Sequence, residues 1–385
     1  MDVVEASSEP SLLERALDVL RGMLGADWSV ALVGNAREIA AGSDKGLDAR
    51  IRIIPPGDRH EHVELLVEVR DQVTPRYAES HLAPLSLALR EARTPFTVLA
   101  VAPWISARTQ GLLREHGIGY LDLTGNAFLS STDPAIRILT QGSRRASKTT
   151  GPTSKNVTLA GPRAGRVVRF LVDFTPPYRP TDIAETAGVS LPWVSRLLTQ
   201  LEEQLLVRRE GRDIIRVHWP ELLRARAASY DLLRHNPYVG ALAPLGIRAV
   251  LDRIRKLPPP HDDRPRVAVT GHYAARAVSP LAIGGQLMLY TEAGPHPPHR
   301  LAEELGLFEV DEGAEVLLLR GHDEVVFDRC RIVDGVPHVA YSQLVLDGLG
   351  GPGRMPSEAE TVLEYMTENE THWREPNKPA RLPRF

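Results

Sequence analysis

A single cysteine, Cys330, stands in 385 residues. That excludes an intramolecular disulfide framework and any cysteine-based zinc site, and it fits a reducing cytoplasm. Aromatic residues make up only 5% of the chain, lysine is scarce, and no apolar run approaches the roughly 18 residues of a membrane span. The opening Met1-Asp2-Val3-Val4-Glu5 is acidic where a signal peptide is basic, so a cytoplasmic location and no membrane role are expected. A net charge of −3 excludes a protein that coats nucleic acid through bulk positive charge; affinity for DNA has to come from a local concentration of arginine and lysine. No phosphate-binding P-loop, nucleophile elbow or dinucleotide fingerprint occurs. His60 with His62, and His296 with His299, lack a third ligand at metal spacing, so neither a metal nor a cofactor is assigned.

What is present is an ordinary globular composition, 43% hydrophobic and 25% charged, long enough for two or three domains. The most informative stretch is Thr181–Val217. Ile183 and Ala184 line the inner face of a short helix, Gly188 falls at a tight turn, and Val194, Leu197, Leu198 and Leu201 stripe a second helix. Thr181 and Ser190 are placed as N-caps, and Pro192 lies in a first turn, where its missing N–H costs little. Two β-prone runs around Glu210-Gly211 then supply a wing, and Arg163 to Phe174 supplies the remaining helix. Outside the apolar stripe, Trp193, Ser195, Arg196, Thr199 and Gln200 are candidates to face a major groove. Ser190, Thr199, Arg208, Arg209 and Arg212 suit phosphate. Double-stranded DNA is therefore the expected partner. A winged helix used for protein contacts is the bland alternative.

No acidic residue occurs between Asp133 and Asp173, while Arg144, Arg145, Lys148, Lys155, Arg163 and Arg166 accumulate there. This basic arm is placed to follow a phosphate backbone; as a solvated linker it needs no further explanation. The resulting organisation is α+β and multidomain. It comprises an N-terminal α/β domain over 1–142, a linker over 143–162, the winged helix-turn-helix over 163–220, a helical connector over 221–260 and a C-terminal α/β domain over 261–385.

Two stretches bear on catalysis. The strand ending Glu64-Leu65-Leu66-Val67-Glu68-Val69-Arg70 resembles part of a restriction-endonuclease-like core, with Asp48 or Asp58 as the second carboxylate, but arginine stands where that chemistry has lysine. Thr270-Gly271-His272 with Leu289-Tyr290-Thr291-Glu292 resembles a degenerate nucleotidyltransferase fold, and Glu292 is the only carboxylate on its strand. Neither domain is expected to be an enzyme. A nuclease using Glu68 and Arg70, guided by the winged helix, is the alternative.

Three runs together resemble actinobacterial relatives of the abortive-infection type IV antitoxin (AbiEi) family: Val101–Ser106 with Gly119–Asn126, the winged helix itself, and Val339–Arg354. The resemblance implies a DNA-binding transcriptional regulator that represses its own operon and opposes a nucleotidyltransferase toxin, in the alternative by direct protein contact. A homodimer would match short palindromic sites, and the flanking domains are candidates to sense a protein or small-molecule effector.

Overall fold

The computed structural model describes residues 11–34, 47–57, 61–143, 159–257, 267–279, 285–291 and 297–376. They divide into two compact units, one within residues 1–155 with the short stretch 203–205, the other containing the rest.

The first unit opens with α1 (Leu12–Leu24), started by a capping box in which Ser11 and Glu14 satisfy each other's backbone N–H groups. Its strands are β1 (Ser29–Gly34), β2 (Ala49–Ile54), β3 (Val63–Val69), β4 (Phe96–Ala102), β5 (Gly119–Asp122), β6 (Ala127–Thr132) and β7 (Ala135–Thr140), hydrogen-bonded in that order. The β3–β4 and β4–β5 pairs are parallel and the others antiparallel. Parallel neighbours need a crossover, provided between β3 and β4 by α2 (Pro75–Tyr77), a π turn (Ala78–Leu82) and α3 (Ala83–Glu91), and between β4 and β5 by α4 (Ala107–Glu115). Strand alternation splits the core. Ile51, Ile53, Leu65, Val67, Leu99 and Val101 pack with α1, while Val98, Ala100, Ala102 and Tyr120 pack with Ala78, Leu82 and Leu113 on the other face.

The Asp122–Asn126 run is a structural knot. Fully buried Asp122 accepts from the backbone N–H groups of Ile105, Thr124 and Asn126 and from the Thr124 hydroxyl. Asn126 in turn holds Gly142 and Ser143. A side chain at Gly142 would collide with the Thr124 carbonyl, so the backbone returns against the β5–β6 turn at a distance only glycine permits.

The second unit begins with α5 (Gly161–Asp173), β8 (Phe174–Thr175), α6 (Pro180–Ala187), α7 (Leu191–Glu203), the hairpin β9 (Val207–Glu210) and β10 (Asp213–Val217), and α8 (Trp219–Ala227). It continues through α9 (Leu232–His235), β11 (Tyr238–Leu242), α10 (Gly246–Ile254), β12 (Val267–Thr270), α11 (Gly271–Arg276), β13 (Leu287–Thr291), α12 (Pro297–Leu305), β14 (Phe308–Glu309) and β15 (Val316–Arg320). A 3-10 turn (Glu324–Phe327) leads to β16 (Arg331–Val333), β17 (Val336–His338), α13 (Tyr341–Leu349), α14 (Met355–Glu368), α15 (Glu370–Trp373) and β18 (Glu375–Pro376). The sheet of this part runs β14-β11-β15-β13-β12-β17-β16. The chain is thus a mixed α+β protein of several parts with a helix-turn-helix in the middle.

One hydrophobic core runs from Val167 to Trp373 and includes both the winged helix and the C-terminal sheet. Polar clasps reinforce it. Arg374 donates to the carbonyls of Leu171, Val172 and Phe174 at the end of α5, groups that helix geometry leaves without partners, and β18 pairs with β8.

Candidate nucleic-acid interface

The helix-turn-helix forms as its residues dictate. Gly188 ends α6 in the left-handed region, φ 62°, and its N–H reaches the carbonyls of Ala184 and Glu185. Val194, Leu197, Leu198 and Leu201 are buried against Ile183, Val167 and Leu171. The start of α6 differs from the expectation. Pro180 fixes φ and begins the helix two residues early, so Arg179 is the cap, its N–H bonded to Asp182 at 2.9 Å, and exposed Thr181 is not a cap. Ser190 does precede α7, its carbonyl accepting from Val194 N–H at 3.1 Å.

The outer face of α7 is narrower than its sequence implies. Pro192, Ser195, Arg196 and Thr199 are exposed. Trp193 is half-buried against the core and Gln200 is half-buried too, so neither projects freely into a groove. The Thr199 hydroxyl donates to the Ser195 carbonyl at 3.1 Å, which leaves Ser195 and Arg196 as the most available base-reading side chains.

The wing needs a larger correction. Strand alternation places Arg209 on the inward face with Ile214, where its Nε donates to Glu202 of α7 at 3.0 Å, so it is a staple between helix and hairpin. Arg208 stays exposed on the outward face, 3.7 Å from Glu210, and Arg212 is exposed at the Gly211 turn. Directly opposite Arg208 stands exposed Arg216, which sequence reasoning missed. A regular hairpin would pair Arg208 with Ile215; a register shift between Ile214 and Arg216 brings the two arginines together instead. Like charges facing across strands repel, and an intervening anion removes that cost. Arg179, exposed beside Asp213 at 3.5 Å, is a second overlooked cation at this edge.

Within the basic arm, Arg144, Arg145, Lys148 and Lys155 lie outside the described residues, and Arg163 is exposed. Arg166 is engaged internally: its Nε donates to Asp323 at 2.9 Å and its Nη1 to the Ala187 carbonyl at 3.4 Å, which braces the helix-turn-helix bend.

The comparisons with known proteins bear on this same region. Residues 164–226 match the model of the Crp-like helix-turn-helix domain, which supports a DNA-binding regulator of winged-helix type. No curated protein matches the chain. Among solved structures, EndoMS in its apo form aligns at 16% identity over 30% of this chain and 48% of that one, hence less than half of its length, with a TM-score of 0.20, too low to bear on the fold.

Proposed function

We propose that the protein is a sequence-specific DNA-binding transcriptional regulator in which α7 reads base edges through Ser195 and Arg196 while Arg208, Arg212 and Arg216 of the wing hold phosphate. The observation that carries this reading is the outward placement of those cations on a helix-turn-helix matched by the Crp-like domain model. Selection of bound double-stranded DNA from a random pool, followed by titration at several salt concentrations, tests it. Arg208→Ala and Arg216→Ala are each expected to reduce the slope of log affinity against log salt by about 0.9, with equal loss on all sequences. A slope unchanged in both variants removes the wing from the interface. The family resemblance extends the reading to an antitoxin-like repressor acting as a two-fold dimer on a palindromic operator.

We read the N-terminal unit as an endonuclease-like scaffold without catalysis, and the C-terminal sheet as a nucleotidyltransferase-like one in the same state. Glu68 Oε1 accepts from Arg70 Nε at 2.8 Å and from the Tyr77 hydroxyl at 2.6 Å, while Asp48 Oδ2 accepts from Val69 N–H at 2.8 Å. Burial, with the Glu68 bond, lifts the Tyr77 hydroxyl to about 12, so it remains a donor. A guanidinium bonded to the carboxylate does not fit a divalent-ion site, which needs acceptor oxygens turned toward an open position. Labelled single- and double-stranded DNA incubated with Mg²⁺ or Mn²⁺ is expected to remain intact; cleavage lost on Glu68→Ala would restore the nuclease reading.

A further inference from the structure

Helix α13 is buried throughout Ser342–Gly348, yet Ser342, Gln343 and Asp347 on it are polar. Such groups are tolerated inside a protein only when their hydrogen bonds are made. Here the partners come from opposite sides of the second unit. Toward the winged helix, Ser342 donates to Asp173 of α5, and Gln343 Oε1 accepts from Arg169 Nη1 of α5 at 2.9 Å. Arg169 is itself 2% exposed, paired with Asp173 at 3.0 Å. Toward the sheet, Asp347 Oδ2 accepts from Thr270 of β12 at 2.7 Å, and Oδ1 accepts from Tyr290 of β13 at 2.9 Å and Tyr230 at 3.0 Å. Gln343 Nε2 donates to Asp347 at 2.8 Å and closes the gap.

The result is a continuous buried chain, Thr270/Tyr290–Asp347–Gln343–Arg169–Asp173, from the C-terminal sheet to the first helix of the DNA-binding head. Gln343 has one workable orientation in it: its carbonyl faces a cation and its amino group faces a carboxylate. Reversing the amide would set two donors against each other at Arg169 and two acceptors against each other at Asp347.

We propose that Gln343 couples the charge on Asp347 to the seating of α5, and through α5 to the DNA affinity of α7. The proposal rests on the DNA-binding reading for its last step. The mechanical path from α5 onward is short. Val167, Phe170 and Leu171 share a core with Ile183, Val194 and Leu197, and Arg166 holds the Ala187 carbonyl at the bend.

A proton on Asp347 changes the chain in two ways. The bond from Gln343 loses its charge assistance, and one of four donors has to yield its place to the new O–H. Burial raises this carboxyl to about 6 even though Thr270, Gln343, Tyr290 and Tyr230 all favour the anion. Among the described residues, further charged or titratable groups around the cluster include Arg169 across Gln343 with Asp173 paired to it, and Arg226, His235 and His322, each near 5.5 Å from the Tyr230 ring. Burial keeps His322 down at about 4, so it stays neutral while Asp347 titrates.

The full-length protein tests this directly, with selected double-stranded DNA titrated at about pH 7.5 and about pH 5.5. Affinity is expected to change about three- to tenfold between the two, the scale of one weakened charged hydrogen bond. Gln343→Met should flatten the response, and Asp347→Asn should lock affinity near the low-pH value. A wild-type response absent, or unchanged in both variants, overturns the coupling. Hydrogen exchange of the α5 amides gives a readout that needs no DNA. If wild-type protein binds no DNA, the regulator reading fails. The coupling to α5 is then supported by pH-dependent protection lost in Gln343→Met, and overturned by protection that is the same in both proteins.

Discussion

Arg169→Met is expected to destabilise the second unit by about 3–5 kcal/mol, the largest effect of any single change considered. Arg169 donates to Asp173, to the carbonyls of Val325 and Asp328, and to Gln343, all from a position 2% exposed. Methionine fills similar volume but supplies none of these donors, so Asp173, itself 3% exposed, is left with the Ser342 hydroxyl as its side-chain donor. Arg169→Lys should rescue little, because a single ammonium cannot serve four acceptors arranged for a planar fork. Urea denaturation followed by circular dichroism measures the effect; a loss below about 1 kcal/mol would mean that the network adds little beyond packing.

Arg196→Ala is expected to lower affinity for the selected DNA by roughly 5- to 150-fold, corresponding to about 1–3 kcal/mol for a lost bidentate base contact. Arg196 is exposed on α7 beside Ser195, and its removal leaves the buried Val194, Leu197 and Leu198 untouched, so the melting temperature should hold. The loss should be confined to specific sequence, with binding to unrelated DNA reduced only by one phosphate-scale contact. Equal loss on every sequence in a band-shift titration would reassign Arg196 from base reading to backbone positioning.

Much of the architecture was legible because local signals coincided. Ala49–Ile54, Val63–Val69 and Phe96–Ala102 are apolar, β-prone runs, a pattern that marks a strand, and each is one. The helical run before β4 starts at Pro75, where Thr74 caps it and proline is suited to the first position. Helix α13 was not legible as a helix. Its burial on every side erases the 3.6-residue alternation that marks a surface helix, and Gln343 and Asp347 carry no pattern until their partners on α5, β12 and β13 are known. The β16–β17 hairpin and β11 escaped for another reason: short strands completing a sheet formed from distant segments give little local periodicity.

The interface followed the same division. Exposure of Ser195, Arg196, Arg208 and Arg212 was readable from the apolar stripe of α7 and the turn at Gly211. The internal duties of Arg166 and Arg209 were not, since an arginine beside a DNA-reading motif looks alike whether its guanidinium meets solvent or a carboxylate contributed by Asp323 or Glu202. The Arg208–Arg216 pairing depends on one extra residue in the hairpin, a shift that composition does not reveal.

The clasp between β18 and β8 also ties two distant stretches of the chain together. Glu375 pairs with Phe174, and Arg374 bonds the carbonyls that end α5, so the first helix of the DNA-binding head is completed by residues made some two hundred positions later. The Leu171 carbonyl also accepts from the nearby Tyr178 hydroxyl, whereas the Val172 and Phe174 carbonyls are met by Arg374 from that distant segment. A chain that stops before Arg374 is expected to lose these bonds at the end of α5.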